Sequence, residues 1–257
     1  MGVSPRAAPV AAACAIMIAG CSGGPGPRTV RPSHEVARAV VALGDSVPEG
    51  ANCDCDPYPE LSAKALTVPG VRQVTVSNEA VGGYTTTGVL TQLRAWPRLI
   101  RNVSGADAVD VQVGANDVAY DKACGNSTAC YQKRIPELEH NLSEIVRRVR
   151  ELTAGRKVLV VLLDYWSVWL GGRYAEQQGP AYVQAAAAMT DQVNGIIRKT
   201  AGDTGSAYVD LRTAFKGPDH AYDETHYLTD DGDHPNAAGH QRISAATVDV
   251  IVRALHL

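Results

Sequence analysis

One recurrence constrains this chain more than anything else in it. Short apolar, β-branched runs, most of them stopped by glycine or a polar turn, alternate with stretches of helical periodicity. Ala39-Val40-Val41-Ala42-Leu43 ends at Gly44, Val71 to Ser77 alternates, and Ala108-Val109-Asp110-Val111-Gln112-Val113 stops at Gly114. Val158-Leu159-Val160-Val161-Leu162-Leu163 is the strongest strand signal, and Ala207 to Leu211 reads as a shorter fifth strand. Between them, Tyr131 to Leu152 sets Ile135, Leu138, Leu142, Ile145, Val146 and Val149 at three- and four-residue spacings, the apolar face of a helix. Gln177 to Thr200 is an alanine-rich helical stretch ending in Val193, Ile196 and Ile197. Asn236 is placed to cap a last helix carrying Ile243, Val248, Ile251, Val252 and Leu255. Strands alternating with helices imply an α/β fold, a parallel sheet covered on both faces. In such a sheet the ligand site lies at the carboxyl ends of the strands.

The amino-terminal residues read as separate from that fold. Arg6 precedes an apolar stretch, Ala7 to Ile18, interrupted by Pro9 and too short for a membrane span of about 20 residues. It runs into Ala19-Gly20-Cys21, small residues before a cysteine as in a bacterial lipoprotein cleavage box. Residues 1–20 are thus expected to be a signal peptide and Cys21 a lipidation site that anchors the protein to a membrane. An ordinary signal peptide cut nearby, or a short anchor, is the alternative; either way export is expected. Residues 21–37, rich in Gly, Pro and polar side chains, read as a tether, and residues 38–257 as one domain without a second linker or a repeat. With Cys14 in the signal and Cys21 lipidated, Cys53, Cys55, Cys124 and Cys130 remain. In an oxidising compartment these suggest two disulfides, with three possible pairings. Their spacings do not match structural zinc. A formal net charge of −3 and no Lys/Arg run give no reason to expect nucleic acid; a small-molecule partner fits better.

The polar motifs follow strands. Gly44-Asp45-Ser46 comes directly after the first and Gly114-Ala115-Asn116-Asp117 directly after the third, while Asp231-Gly232-Asp233-His234 precedes the last helix. A serine hydroxyl becomes a nucleophile only beside a base. His234 is a candidate for that base, and Asp231 for the group that holds its imidazole. The oxyanion formed on attack needs preorganised donors; the Ser46 N–H, a glycine N–H after the second strand and the Asn116 side chain are candidates. In this order, and with Asn78-Glu79-Ala80-Val81-Gly82-Gly83-Tyr84-Thr85-Thr86 between, the motifs resemble the four blocks of the SGNH (GDSL-like) hydrolases. The resemblance implies a three-layer α/β/α sandwich of flavodoxin-like type around a mostly parallel five-stranded sheet. It also implies Ser46, Asp231 and His234 as a catalytic triad and Ser46, Gly83 and Asn116 as the oxyanion hole. Gly83 is preferred to Gly82 because a residue and then a threonine follow it, as in the family pattern. Val47 departs from the commoner leucine after the serine.

Two other readings compete. The segment 219–240 holds His220, Asp223, Glu224, His226, Asp230, Asp231, Asp233, His234 and His240, which raises a metal-dependent hydrolase. Those spacings match no familiar ligand motif and leave the serine and asparagine blocks unexplained, so no metal and no cofactor is expected. A non-catalytic binding lipoprotein of the same fold would keep no reason for a full set of catalytic side chains. The expected function is therefore serine-dependent hydrolysis of a carboxylic ester, with lipase, carboxylesterase and carbohydrate deacetylase relatives leaving small-molecule, lipid and carbohydrate esters open. An aromatic fraction of 5% argues against a broad lipid-binding surface. Tyr165, Trp166 and Trp169 follow the strongest strand and are candidates to line the substrate crevice; their alternative is to pack the loop itself.

Overall fold

The structure, a computed structural model, describes residues 1–2 and 36–257. Nearly all of the expected signal peptide, Cys21 and nearly all of the expected tether lie outside the described residues. Two units are distinguished, Met1–Ser33 and His34–Leu257, and the fold is that of the second.

Five strands form one sheet: β1 (Val36–Gly44), β2 (Arg72–Asn78), β3 (Ala108–Gln112), β4 (Leu159–Leu163) and β5 (Ala207–Val209). Their order is β2-β1-β3-β4-β5, and every neighbouring pair is parallel. β1 thus already includes Val36 and Ala37, two residues assigned above to the tether. The helices among the described residues are α1 (Ser46–Glu49), α2 (Tyr58–Leu66), α3 (Thr86–Ala95), α4 (Pro97–Gly105), α5 (Thr128–Tyr131), α6 (Ile135–Leu152), α7 (Gly172–Glu176), α8 (Pro180–Thr204), α9 (Leu211–Lys216) and α10 (Ala237–Leu255). α2, α9 and α10 pack together on one face of the sheet, and α3, α4, α6 and α8 on the other. The result is the expected three-layer sandwich.

Each of the first four strands is followed by a helical crossover because a parallel neighbour can be reached no other way. The chain moves from β1 outward to β2 and then back across β1 to β3, so the strand order reverses between β1 and β3. At such a switch point the two connections leave in opposite directions and open a crevice above the strand ends. α6 buries Leu138, Leu142, Ile145, Val146 and Val149, the stripe its periodicity predicts. α10 starts where Asn236 accepts the Ala238 and Gly239 N–H groups at 2.9 and 3.1 Å, as expected of that cap. α2, α3 and α4 have no counterpart in the sequence reading. α3 opens on Thr-Thr-Gly, poor helix formers, and is held by burial of Val89, Leu90 and Leu93.

The core carries an electrostatic cost at Asp110. It lies in the middle of β3, fully buried, and neither carboxylate oxygen has a hydrogen-bond partner among the described residues. Burial alone pushes its carboxyl from 3.8 up to about 7. A raised folded-state value means that the folded chain keeps a proton that the unfolded chain releases. Stability from this group is therefore full below about pH 4 and is lost as pH rises toward 7, on the order of 4 kcal/mol for a shift of this size. The thermal midpoint should rise as pH falls from 8 to 5, and Asp110→Asn should flatten that slope and raise the midpoint at pH 8. Scanning calorimetry of both proteins across this range checks it; parallel curves would show that Asp110 does not carry the effect.

Candidate active site

β1 ends at Gly44 and passes directly into α1, so Ser46 sits on the first turn above the sheet. Asp45 builds that turn. Its Oδ1 accepts the Val47 N–H at 3.0 Å, its Oδ2 accepts the Tyr165 hydroxyl at 2.5 Å, and its own N–H donates to the Gln112 carbonyl at the end of β3 at 3.2 Å. Burial raises the Asp45 carboxyl to about 7, against the lowering pull of the Tyr165 and Val47 bonds. The aspartate of Gly-Asp-Ser therefore acts as a buried brace between β1, β3 and the segment after β4, one that no sequence pattern assigned to it.

Asn116 follows β3 on a single 3₁₀ turn, and its Nδ2 donates to the Tyr84 carbonyl at 3.0 Å. Asp117 accepts both the N–H and the hydroxyl of Thr86, at 2.9 and 2.5 Å. The third and second sequence blocks are thus tied to each other through two adjacent side chains. Gly83, one residue before Tyr84 in the second block, stands at φ 77°, left-handed backbone that side-chain-bearing residues rarely adopt. A Cβ at Gly82 would instead lie 2.6 Å from the Glu49 carboxylate.

The segment before α10 folds back on itself, with the Thr229 N–H donating to the His234 carbonyl at 2.9 Å and the Gly232 N–H to the Thr229 carbonyl at 3.1 Å. Inside this loop Asp231 Oδ1 accepts the Thr229 hydroxyl at 2.6 Å and the N–H groups of Asp233 and His234 at 2.9 and 3.0 Å. Its Oδ2 lies 2.7 Å from His234 Nδ1. Partial burial works to raise the Asp231 carboxyl, but the bonds from Thr229, His234 and Asp233 outweigh it and hold the group well below the ordinary carboxylate range. On the other side of the ring, His234 Nε2 lies 2.8 Å from Ser46 Oγ. Three side chains spanning 188 residues of sequence form one continuous hydrogen-bonded line.

Beside this line opens a cavity of about 430 Å³, lined among others by Ser46, Asn116, His234, Tyr165, Trp166 and Trp169. The three aromatics are both lining and packing. Trp166 stacks on Phe215 at 4.4 Å, and the Trp169 indole N–H donates to the Val118 carbonyl at 2.8 Å. Tyr120 and Tyr182, which the sequence did not single out, complete the wall against Trp169 at ring separations of 5.1 and 5.5 Å. The four cysteines pair as Cys53–Cys55 and Cys124–Cys130. The donors of segment 219–240 disperse rather than converge. Glu224 is paired with Lys216, Asp223 accepts from Thr225, and His220 reaches Thr213. Among the described residues, the one set of three or more converging donors is Cys53, Cys55 and His240, two of which are bonded to each other.

The model of the GDSL-like Lipase/Acylhydrolase family matches residues 42–242, most of the chain, from the end of β1 into α10. This protein belongs to that family. A comparison with curated proteins gives no match. Among solved structures, the GDSL-like hydrolase is similar to an extracellular lipase of Streptomyces rimosus, at 23% identity over 83% of this chain and 99% of that one, with a TM-score of 0.66. It is also similar to the lipase Lip_vut3 from a goat rumen metagenome, at 19% identity over 83% and 97% of the two chains, with a TM-score of 0.63. Axe2, an acetylxylan esterase of Geobacillus stearothermophilus, aligns at 19% identity over 85% and 96%, with a TM-score of 0.62. At these identities the structures share the fold.

Proposed function

We propose that this hydrolase is an exported serine esterase in which Ser46 is the nucleophile, His234 the general base and Asp231 the group that orients it. The observation that carries the reading is the unbroken line from Ser46 Oγ through both His234 nitrogens to Asp231, opening on the aromatic-walled cavity. With the Nδ1 proton held by Asp231, Nε2 is left as the acceptor for the serine proton. Ser46 Oγ adds to the ester carbonyl as its proton passes to Nε2, and the Ser46 N–H, the Gly83 N–H and Asn116 Nδ2 receive the oxyanion. Collapse of the tetrahedral adduct returns that proton to the leaving alcohol and leaves an acyl-serine. Water, deprotonated by His234, then adds to the acyl carbonyl, and the second adduct releases the acid as His234 returns the proton to Ser46 Oγ.

For the substrate we favour a short-chain carboxylic ester or an acetyl ester of a carbohydrate. Flat aromatic faces beside a nucleophile suit sugar rings, and an acetylxylan esterase shares the fold. The amino-terminal pattern supports export, with Cys21 as the lipid-bearing residue. No described helix is long and apolar enough to cross a membrane.

A fluorophosphonate probe tests the nucleophile without a choice of substrate. Labelling should map to Ser46 and disappear in His234→Ala. A folded protein that stays unlabelled, or is labelled elsewhere, would overturn the reading.

A further inference from the structure

Asn52 sits where no sequence block pointed. α1 is closed by Gly50, whose N–H donates to the Ser46 and Val47 carbonyls, and the Ala51 N–H donates to the Ser46 carbonyl at 3.0 Å. The next residue, Asn52, adopts left-handed backbone at φ 59°, a conformation asparagine tolerates far better than most residues. Cys53 follows, its N–H donating to the Gly50 carbonyl at 3.4 Å and its sulfur bonded to Cys55. This stapled turn directs the Asn52 amide across the molecule, where Nδ2 donates to Asp231 Oδ2 at 2.6 Å. The same nitrogen lies 3.2 Å from His234 Nδ1. Because an ionised carboxylate only accepts, the amide must present its N–H₂ side to Asp231.

From this geometry we propose that Asn52 is a positioning residue for the triad, latching the Asp231 carboxylate to the segment that carries Ser46. The inference rests on the esterase reading above. Asp231 Oδ2 receives two donors, the His234 Nδ1–H and the Asn52 amide, while Oδ1 is filled by three donors of its own loop. Thr229, Asp233 and His234 fix the carboxylate within the 229–234 loop; Asn52 alone among these donors comes from the nucleophile's side of the sequence. A closed ring results, running from Ser46 along six residues of backbone to Asn52, then to Asp231, to His234 and back to Ser46. The ring ties the segment that carries the nucleophile directly to the loop that carries the base. The latch is also electrically neutral. It takes up part of the carboxylate's charge without adding a cation, which moderates how strongly Asp231 stabilises the imidazolium.

Two substitutions separate this role from a mere turn. Asn52→Gly keeps the left-handed backbone and removes the amide; Asn52→Asp keeps the shape and replaces a donor with a second carboxylate. His234 is followed by NMR titration of ring-labelled protein, and kcat and KM on p-nitrophenyl acetate are measured across pH. Losing the donor leaves more charge on Asp231, so Asn52→Gly should move the His234 titration and the acid limb of kcat/KM upward together. We expect kcat to fall about tenfold with KM within about twofold. Asn52→Asp should raise the titration further, by about one pH unit, because a second carboxylate lies beside the imidazolium. If both folded variants titrate as wild type, the latch is refuted, whether or not the ester is cleaved. If the titrations shift but neither wild type nor variants turn over ester or take the fluorophosphonate, the latch stands and the esterase reading fails.

Discussion

Replacing Ser46 with alanine is expected to cut ester turnover by about 10⁴- to 10⁶-fold while the thermal midpoint stays at its wild-type value. The size of the loss follows from removing the one hydroxyl that His234 Nε2 touches, at 2.8 Å. In the proposed mechanism what remains is the binding and oxyanion contribution assigned to the Gly83 and Asn116 donors, typically about 10³-fold over water. The midpoint should hold because α1 is anchored by the Asp45 carboxylate and the Gly50 cap, neither of which uses the Ser46 side chain. Steady-state turnover of p-nitrophenyl acetate and a thermal melt on the same preparation check both halves. Turnover within tenfold of wild type would remove Ser46 from the mechanism.

Gly44→Ala should do the opposite, damaging the fold first and the chemistry through it. A Cβ at Gly44 would lie 2.0 Å from the Gln112 carbonyl oxygen and 2.8 Å from Pro48 Cγ, with the backbone at φ +152°. Neither obstacle is the free end of a flexible side chain; one is the backbone of β3, the other a proline ring. Relief requires parting β1 from β3 at the switch point or turning the strand end, and the second would also redirect Ser46 two residues on. A loss of about 4 kcal/mol or more is expected, at the top of the range for single substitutions, read as a lowered midpoint of urea unfolding. Whatever protein still folds should show reduced labelling at Ser46. Unchanged stability would mean that the β1–β3 contact yields more easily than its geometry implies.

Much of this architecture was legible in the residues themselves. All five strands were readable: β1, β3, β4 and β5 as short apolar runs, the form a strand of a covered parallel sheet takes, and β2, an edge strand with only Val74 buried, by its alternation. α6 and α10 were legible for the same reason at the helical period. α2, α3 and α4 were not. They are nine or ten residues long, and helices this short draw most of their stability from tertiary packing rather than from propensity. The serine, asparagine and aspartate–histidine blocks stood out because each sits just after a strand or just before the last helix, where backbone geometry admits few residue types.

The class of fold, the order of its strands along the chain and the side chains able to form a Ser-His-Asp line were all legible in the sequence. Those features are local, set by periodicity and by the turn chemistry at strand ends. The four cysteines, whose pairing the sequence left open among three alternatives, pair locally, two and six residues apart. The tertiary fold set the bracing of Asp45 by Tyr165, the aromatic wall that adds Tyr120 and Tyr182, and the reach of Asn52 to Asp231 across 179 residues of sequence. A contact between distant residues depends on where the sheet order places their loops, and no local pattern encodes that placement. The reversal of strand order between β1 and β3 is the physical reason these loops meet above one crevice.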